Sequence, residues 1–511
     1  MGGRIDGRGL LVLVLLVSAC VQVRVPDLVA IYRQTAEIQG PERRPVIGLP
    51  GTLGSRLVDT ETGRELWGGS VRLSGNPAVP EDFRRLALPI GDGTVPNRLL
   101  TDPVRPAGVL TSARASVLGV PIDIDVYSSL LATMRLAGWI PFEDPLALPR
   151  TSQSNLPPIP PEEANFFPFA YDWRRDLAET VKLFDAHVRA KAEQVALMHG
   201  LTAAEPGPVR FNLVAHSMGC LIARYYLMYG TQDLPADGSL PELTWEGARH
   251  IAKAVFIAPP NAGSITALDN LVNGKSLGPL LPFYPPALVG AHFSTYALMP
   301  RNRHKRVRWA DTGEPIEDLY DPALWQRLGW GLASPAAVEE LAVLMPDIAD
   351  PEERRRRALA FQAEALARAK QFHTALDREI EALPPGLEIY LVVGGSYQTP
   401  AGASVDPATG ALEITAYEEG DGVVLRASSL LDERQGGTYE FGLRTPLKYT
   451  STLFLPEEHV ALTQSPVFGD NLLFWLIEGQ RVGESLQVAD APLVGVVPSE
   501  APMGRRPDVD R

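Results

Sequence analysis

Runs of consecutive apolar residues alternate along this chain with segments whose apolar positions recur every three or four residues. Pro45-Val46-Ile47-Gly48-Leu49-Pro50 reads as a short buried strand closed by a Gly/Pro turn. Val209 to Val214, Ala252 to Ile257 and Leu387 to Val393 repeat the pattern, so each predicts a strand covered on both faces. Between them Tyr127 to Leu136, Leu177 to Met198 and Leu221 to Tyr229 have helical spacing. Asp350-Pro351-Glu352-Glu353 supplies an N-cap, a proline at the first helical position and an acidic first turn. A long amphipathic helix should follow, with apolar residues at Leu359, Leu366, Ala369, Leu376, Ile380 and Leu383. Strands and helices in alternation predict an α/β domain, a mostly parallel sheet with helices on both faces.

Two stretches break this rhythm. Residues 55–125 are rich in Pro and Gly with no strong period, and residues 264–349 carry Phe283-Tyr284-Pro285-Pro286 and the segment Trp325 to Trp330. Both are expected to be insertions, a lid and a cap, folded over the carboxyl edge of the sheet. The domain would then occupy residues 45–482, after a polar linker over 21–44 and before a Pro-rich disordered tail over 483–511. Composition agrees with long irregular insertions: with 45 Gly and 46 Pro in 511 residues, the two make up about 18% of the chain against a usual ~12%. An apolar fraction of 45% is ample for a core, and a net charge of -14 argues against nucleic acid as a partner.

At the N-terminus Arg4 and Arg8 precede an apolar run from Leu10 to Val17, too short to span a bilayer but long enough for a secretory signal core. Val17-Ser18-Ala19-Cys20 follows, and small residues ahead of a cysteine resemble a bacterial lipobox. Cys20 would then be lipidated as the first mature residue, and the protein exported and anchored to the cell-envelope membrane. Cys220 is the only other cysteine, so no internal disulfide is expected in the mature chain.

The strongest chemical signal is Asn212-Leu213-Val214-Ala215-His216-Ser217-Met218-Gly219-Cys220-Leu221, which runs from an apolar strand through a tight turn into a helix. A nucleophile elbow, G-x-S-x-G, needs this context, because small flanking residues let strand and helix approach while the serine stands above the sheet. Ala215 replaces the first glycine. Ser217 is therefore the candidate nucleophile, and His216, inside the elbow, reads as a packing residue. A serine needs a base, and in this type of fold the acid and the histidine follow it in the chain. His459, in a loop after the strand-like run Leu453 to Leu455 and before an apolar helix around Asn471 to Ile477, is the candidate base. Met218, directly after the nucleophile, supplies one oxyanion amide, and the Gly-rich loop Gly48 to Ser55 supplies the other, with Leu53 preferred to Thr52.

Two strings compete for the acid, Gly91-Asp92-Gly93-Thr94 and Gly420-Asp421-Gly422-Val423. Asp92 precedes the nucleophile and lies in the first insertion, whereas Asp421 follows the strand at Leu387 to Val393 and precedes His459. Asp421 is assigned, with Asp432 as the alternative. No Cys/His cluster or H-E-x-x-H spacing suggests a metal, and no cofactor is expected. The basic residues Arg301, Arg303, Lys305, Arg306 and Arg308 read as a solvated face, with anionic lipid headgroups as the rival reading.

Taken in order, Pro50 to Leu57, Ala170-Tyr171-Asp172-Trp173-Arg174, Ala215 to Leu221, Ala258 to Ser264, Gly420 to Val423 and His459 resemble the lecithin:cholesterol acyltransferase family, over about residues 46–480. The resemblance implies an α/β-hydrolase that takes an acyl chain from a lipid ester onto serine and passes it to an alcohol or to water. It implies oxyanion amides at Leu53 and Met218, a structural ion pair between Asp172 and Arg174, and a lid after Leu57 in which Trp67 is a candidate acyl-chain contact. The family's vertebrate members bracket this lid with a disulfide, and no cysteine occurs here between Val21 and Gly219. Alternatives to a lipid acyltransferase or lipase are an esterase or lactonase acting on small soluble esters, and a lipid-binding lipoprotein without catalysis.

Overall fold

The computed structural model describes residues 43–68, 75–117, 120–141, 164–201, 209–276, 282–434 and 441–479. Cys20 with its apolar run, nearly all of the 21–44 linker and the 483–511 tail lie outside the described residues.

Six strands form the central sheet: β1 (Val46–Leu49), β2 (Phe166–Pro168), β3 (Phe211–His216), β4 (Ile251–Ile257), β5 (Glu388–Gly394) and β6 (Ser451–Leu455). Their order is β6-β5-β4-β3-β1-β2 and every neighbouring pair is parallel. Every residue of β3 and β4 is buried, which is why their sequences run apolar without alternation. Successive side chains nevertheless point to opposite faces. Ile47, Leu49, Leu213 and Ala215 enter a large core on one face, and Val46, Val214, Val255 and Val392 a smaller one on the other.

Five helices matter for the site: α1 (Ser128–Leu136), α2 (Leu177–Met198), α3 (Met218–Tyr229), α4 (Pro351–Leu376) and α5 (Pro466–Leu473). Helices α2, α3 and α4 build the larger core, while α1 and α5 cover the opposite face. Asp176 caps α2 by accepting from the Glu179 amide, and Asp350 caps α4 by accepting from that of Glu352. Helix α4 stops at Leu376, short of Ile380 and Leu383, which the apolar spacing had included. Its terminal carbonyls are taken by α3 instead: Arg224 donates to Leu376 O and the Tyr229 hydroxyl to Ala375 O, both at 2.7 Å.

The first insertion is more regular than its composition predicts. Ser55–Asp59 pairs antiparallel with Glu65–Trp67 and Val104–Val109, and Ser112–Val117 forms a hairpin with Val120–Asp125. After β5 a second long hairpin, Tyr397–Val405 with Leu412–Gly420, carries the chain out and back, and Val307–Trp309 joins it from the cap stretch. Parallel register puts the carboxyl ends of β1, β3, β4, β5 and β6 along one edge. The loops that hold the candidate residues leave from that edge.

Candidate active site

Ser217 stands between β3 and α3 with φ of 52° and ψ of -124°, a backbone conformation a non-glycine residue rarely adopts. The turn is held by the Ser217 amide, which donates to Ile257 O at the end of β4 at 2.8 Å. Close approach dictates the residues around it. A Cβ on Gly219 would lie 2.5 Å from Pro50 O and 2.9 Å from Leu49 O, and one on Gly51 would lie 2.8 Å from Ser217 Cβ. These two glycines let the β1 loop sit directly against the elbow, whereas Ala215, fully buried, fits with its methyl group.

From Ser217 a chain of hydrogen bonds runs outward. His459 Nε2 is 2.9 Å from Ser217 Oγ, and His459 Nδ1 is 2.8 Å from Asp421 Oδ2. Asp421 is 2% exposed, and its other oxygen accepts from the amides of Val423 at 3.0 Å and Val424 at 2.7 Å. Burial alone would push its carboxyl up; the facing His459, the hydrogen bond to it and the two amides outweigh that and hold it below the usual carboxylate range. Acid and base loops are also joined directly, His459 N donating to Asp421 O at 3.0 Å. An acid kept ionised against Nδ1 fixes the imidazole with Nε2 free to accept the serine proton.

The β1 loop has the second strained residue, Leu53, at φ of 61°. Among the described residues neither the Leu53 nor the Met218 N–H has a protein acceptor, as a pair of oxyanion donors requires. The Leu53 carbonyl is instead occupied, because Trp67 Nε1 donates to it at 2.7 Å. That bond, and an edge-on contact with Trp173 at 5.6 Å, give Trp67 a definite place beside the loop. The segment Tyr171 to Arg174 holds the same loop from below. Tyr171 Oη donates to Pro50 O at 2.8 Å, Ser55 Oγ accepts from the Tyr171 amide at 3.1 Å, and Trp173 Nε1 donates to Ser55 O at 3.1 Å. Arg174, wholly buried, pairs with Asp172 and Asp102 at 2.7 Å and caps the carbonyls of Arg85 and Ala87.

Asp92 and Asp432 are elsewhere. Asp92 is at the surface and accepts from the amide and hydroxyl of Thr94, and Asp432 pairs with Arg434. The basic group from the cap divides: Arg301 is buried, whereas Arg303, Lys305 and Arg308 are exposed as a solvated face requires, and three of the arginines are ion-paired. Arg301 and Arg303 bind Asp377, Arg303 also binds Glu433, and Arg306 binds Glu418.

Two residues with a definite place at this site escape a reading of the sequence. His216 does more than fill space, since its Nδ1 lies 2.8 Å from Tyr127 Oη and its Nε2 lies 3.1 Å from His459 O. Tyr127 Oη in turn accepts from the Gly51 amide at 2.8 Å. Tyr127 belongs to no motif, and these contacts span 76 and 89 residues of chain, so nothing local could have signalled it. Among the described residues no group of three or more His, Cys, Asp or Glu is arranged to hold a metal, and Cys220 is free and buried.

A sequence profile described as Lecithin:cholesterol acyltransferase matches residues 161–426, just over half of the chain. The match includes Tyr171 to Arg174, the elbow and Asp421. No curated protein matches the chain. Among solved structures, a chain of the Tle4-Tli4 complex is 14% identical, covering 86% of this chain and 99% of its own, with a TM-score of 0.48. EstA from Clostridium botulinum is 12% identical, covering 88% of this chain and 91% of its own, with a TM-score of 0.32.

Proposed function

This chain belongs to the lecithin:cholesterol acyltransferase family, and from that premise we propose that it moves a fatty acyl group from a lipid ester, through an acyl-Ser217 intermediate, to an alcohol or to water. The observation that carries the reading is the hydrogen-bonded chain from Ser217 through His459 to Asp421, set in a strained strand-to-helix turn.

In this reading His459 Nε2 takes the Ser217 proton as Oγ attacks the ester carbonyl carbon. The tetrahedral oxyanion is held by the Leu53 and Met218 amides, and the imidazolium by Asp421. Collapse breaks the bond to the leaving alcohol, which departs with the proton from His459 Nε2. An incoming alcohol or water then gives its proton to His459 as it attacks the acyl-enzyme, and a second collapse frees Ser217, whose Oγ takes that proton back from His459 Nε2. The two acceptors differ only in which hydroxyl reaches the acyl carbon. A fluorophosphonate probe should label the protein and Ser217→Ala should abolish the label; a label that survives the substitution would overturn the assignment. Incubation with labelled phospholipid, with and without a long-chain alcohol or sterol, separates lipase from acyltransferase by whether free fatty acid or a new ester accumulates.

Export and anchoring through an acylated Cys20 belong to the same proposal, supported by the Arg-flanked apolar run and the small residues before the cysteine. Among the described residues no helix is long and apolar enough to cross a membrane. Radiolabelled palmitate incorporated by the wild type and lost in Cys20→Ser is the expected result.

A further inference from the structure

The proposed reaction requires two loops from distant parts of the chain to keep a fixed spacing: the β1 loop with Leu53 and the loop after β6 with His459. A chain of three hydrogen bonds spans them, and donor and acceptor chemistry fixes the direction of each. The His459 carbonyl can only accept, so His216 Nε2, 3.1 Å away, carries the hydrogen. In a neutral imidazole Nδ1 is then a bare acceptor, so the Tyr127 hydroxyl donates to it at 2.8 Å. The Tyr127 oxygen keeps its lone pairs for the Gly51 N–H, also at 2.8 Å.

Both side chains are almost fully buried, at 5% and 4% exposure, so none of the three bonds can be exchanged for water at little cost. The two ends are tied in parallel. Gln464 Nε2 donates to Asp125 O at 2.9 Å, and Thr463 Oγ1, which bonds Val460 O at 2.8 Å, lies 3.2 Å from Val126 O, so the chain just after His459 is fastened to the chain just before Tyr127. At the other end the Tyr127 ring lies against Gly54, where an added Cβ would approach it to 3.1 Å. With the Gly51 amide engaged, the loop is left to present the amides beyond it.

We propose that Tyr127 and His216 are positioning residues, a buried strut that sets the distance between the oxyanion loop and the backbone of His459. The inference rests on the acyl-Ser217 reading. It predicts a defect in the transition state rather than in substrate binding, because the strut's bonds end on the Gly51 amide and the His459 carbonyl and not on Ser217 Oγ.

Tyr127→Phe keeps the ring and removes one oxygen that serves two hydrogen bonds. Turnover of a fatty acyl ester, normalised to sites titrated by a fluorophosphonate, should fall about 10- to 100-fold, with KM within about 2-fold of the wild type. His216→Leu should cost a similar factor, and the double variant little more than either alone, because both break one chain. His216→Gln, whose amide can both accept from Tyr127 and donate to His459 O, should recover part of the rate. Normalisation to titrated sites removes any contribution from unfolded protein. Full turnover per site in Tyr127→Phe, or losses that multiply in the double variant, would overturn the strut. Label or turnover surviving Ser217→Ala would sink the parent reading and the strut together, so the two failures are told apart.

Discussion

Strain and contact at single residues decide what the elbow tolerates. Ser217 and Leu53 both hold left-handed backbone, at a cost of order 1 kcal/mol each, and the fold has to hold them there. Gly219 is the tightest point, since its neighbours are the backbone oxygens of Pro50 and Leu49, which cannot swing aside as a side chain would. Gly219→Ala is therefore expected to cost at least about 1–3 kcal/mol in urea unfolding and most of the esterase rate. The two acid strings make a second test. Asp421→Asn should lower kcat by about 10,000-fold, because the imidazole loses the partner that fixes its tautomer. Asp92→Asn, in an exposed turn with Thr94, should leave it within about 2-fold. Ser217, Asp421 and His459 could be picked from the sequence because each sits in a short string whose small residues, or whose place after a strand, has a steric reason. Tyr127 and His216 could not, since their significance is a contact between distant segments.

At the scale of elements, the segment Tyr171 to Arg174 acts as a clasp under the β1 loop, and its four residues divide the work. Tyr171 and Trp173 grip backbone on either side of Leu53, while Arg174, paired with Asp172, locks the segment to Asp102 and to the carbonyls of Arg85 and Ala87 at the end of Pro80–Leu86. Removing the buried guanidinium leaves Asp172 and Asp102 with Arg175 alone and strips the carbonyls of Arg85 and Ala87 of their donor, so Arg174→Ala should destabilise by about 1–3 kcal/mol. Arg174→Lys should restore little of it, as an ammonium cannot make the forked contact. Equilibrium unfolding in urea measures both. Trp67 permits a sharper distinction. Trp67→Phe keeps an aromatic ring beside Trp173 but loses the donor to Leu53 O. If that bond steadies the oxyanion loop, kcat should drop about 10-fold for every acyl chain length, whereas an acyl-chain contact alone would change KM and the preference for length. The strands β1, β3, β4 and β5 and the helix α2 were legible in the sequence because uninterrupted apolar runs and periodic stretches are the direct imprint of burial, whereas β2, three residues long, gave no such run. The hairpin Tyr397–Val405 with Leu412–Gly420 was not, since most of Leu412–Gly420 is exposed and pairing, rather than an apolar face, defines it.

Across the whole molecule the core imposes a pH dependence that no single motif announces. His216 is pushed down to about 3 and His292 to about 4, each chiefly by burial, and His373 well below its ordinary value by burial and then by Arg301. The three are satisfied as neutral rings. His292 Nε2 bonds Leu86 O at 2.9 Å, and His373 lies between the Tyr320 hydroxyl and Ala297 O at 2.6 Å each. The unfolded chain protonates these groups near pH 6.5, while the folded chain resists until the pH is far lower. In between, the unfolded state binds more protons, so stability rises with pH through that window and falls as the solution is acidified. Each group can remove up to about 1.4 kcal/mol per pH unit below 6.5, so the three together can remove on the order of 5 kcal/mol by pH 5. Carboxylates held low, such as Asp421 and Asp172, give stability that is present above their ordinary value and lost as the pH falls through their folded one. They act only below about pH 4. The interval from 6.5 to 4 therefore belongs to the histidines. Calorimetry at pH 7 and pH 5 should show Tm falling by on the order of 5–10 °C, and a Tm that stays level across that interval would mean that these rings are protonated in the folded protein.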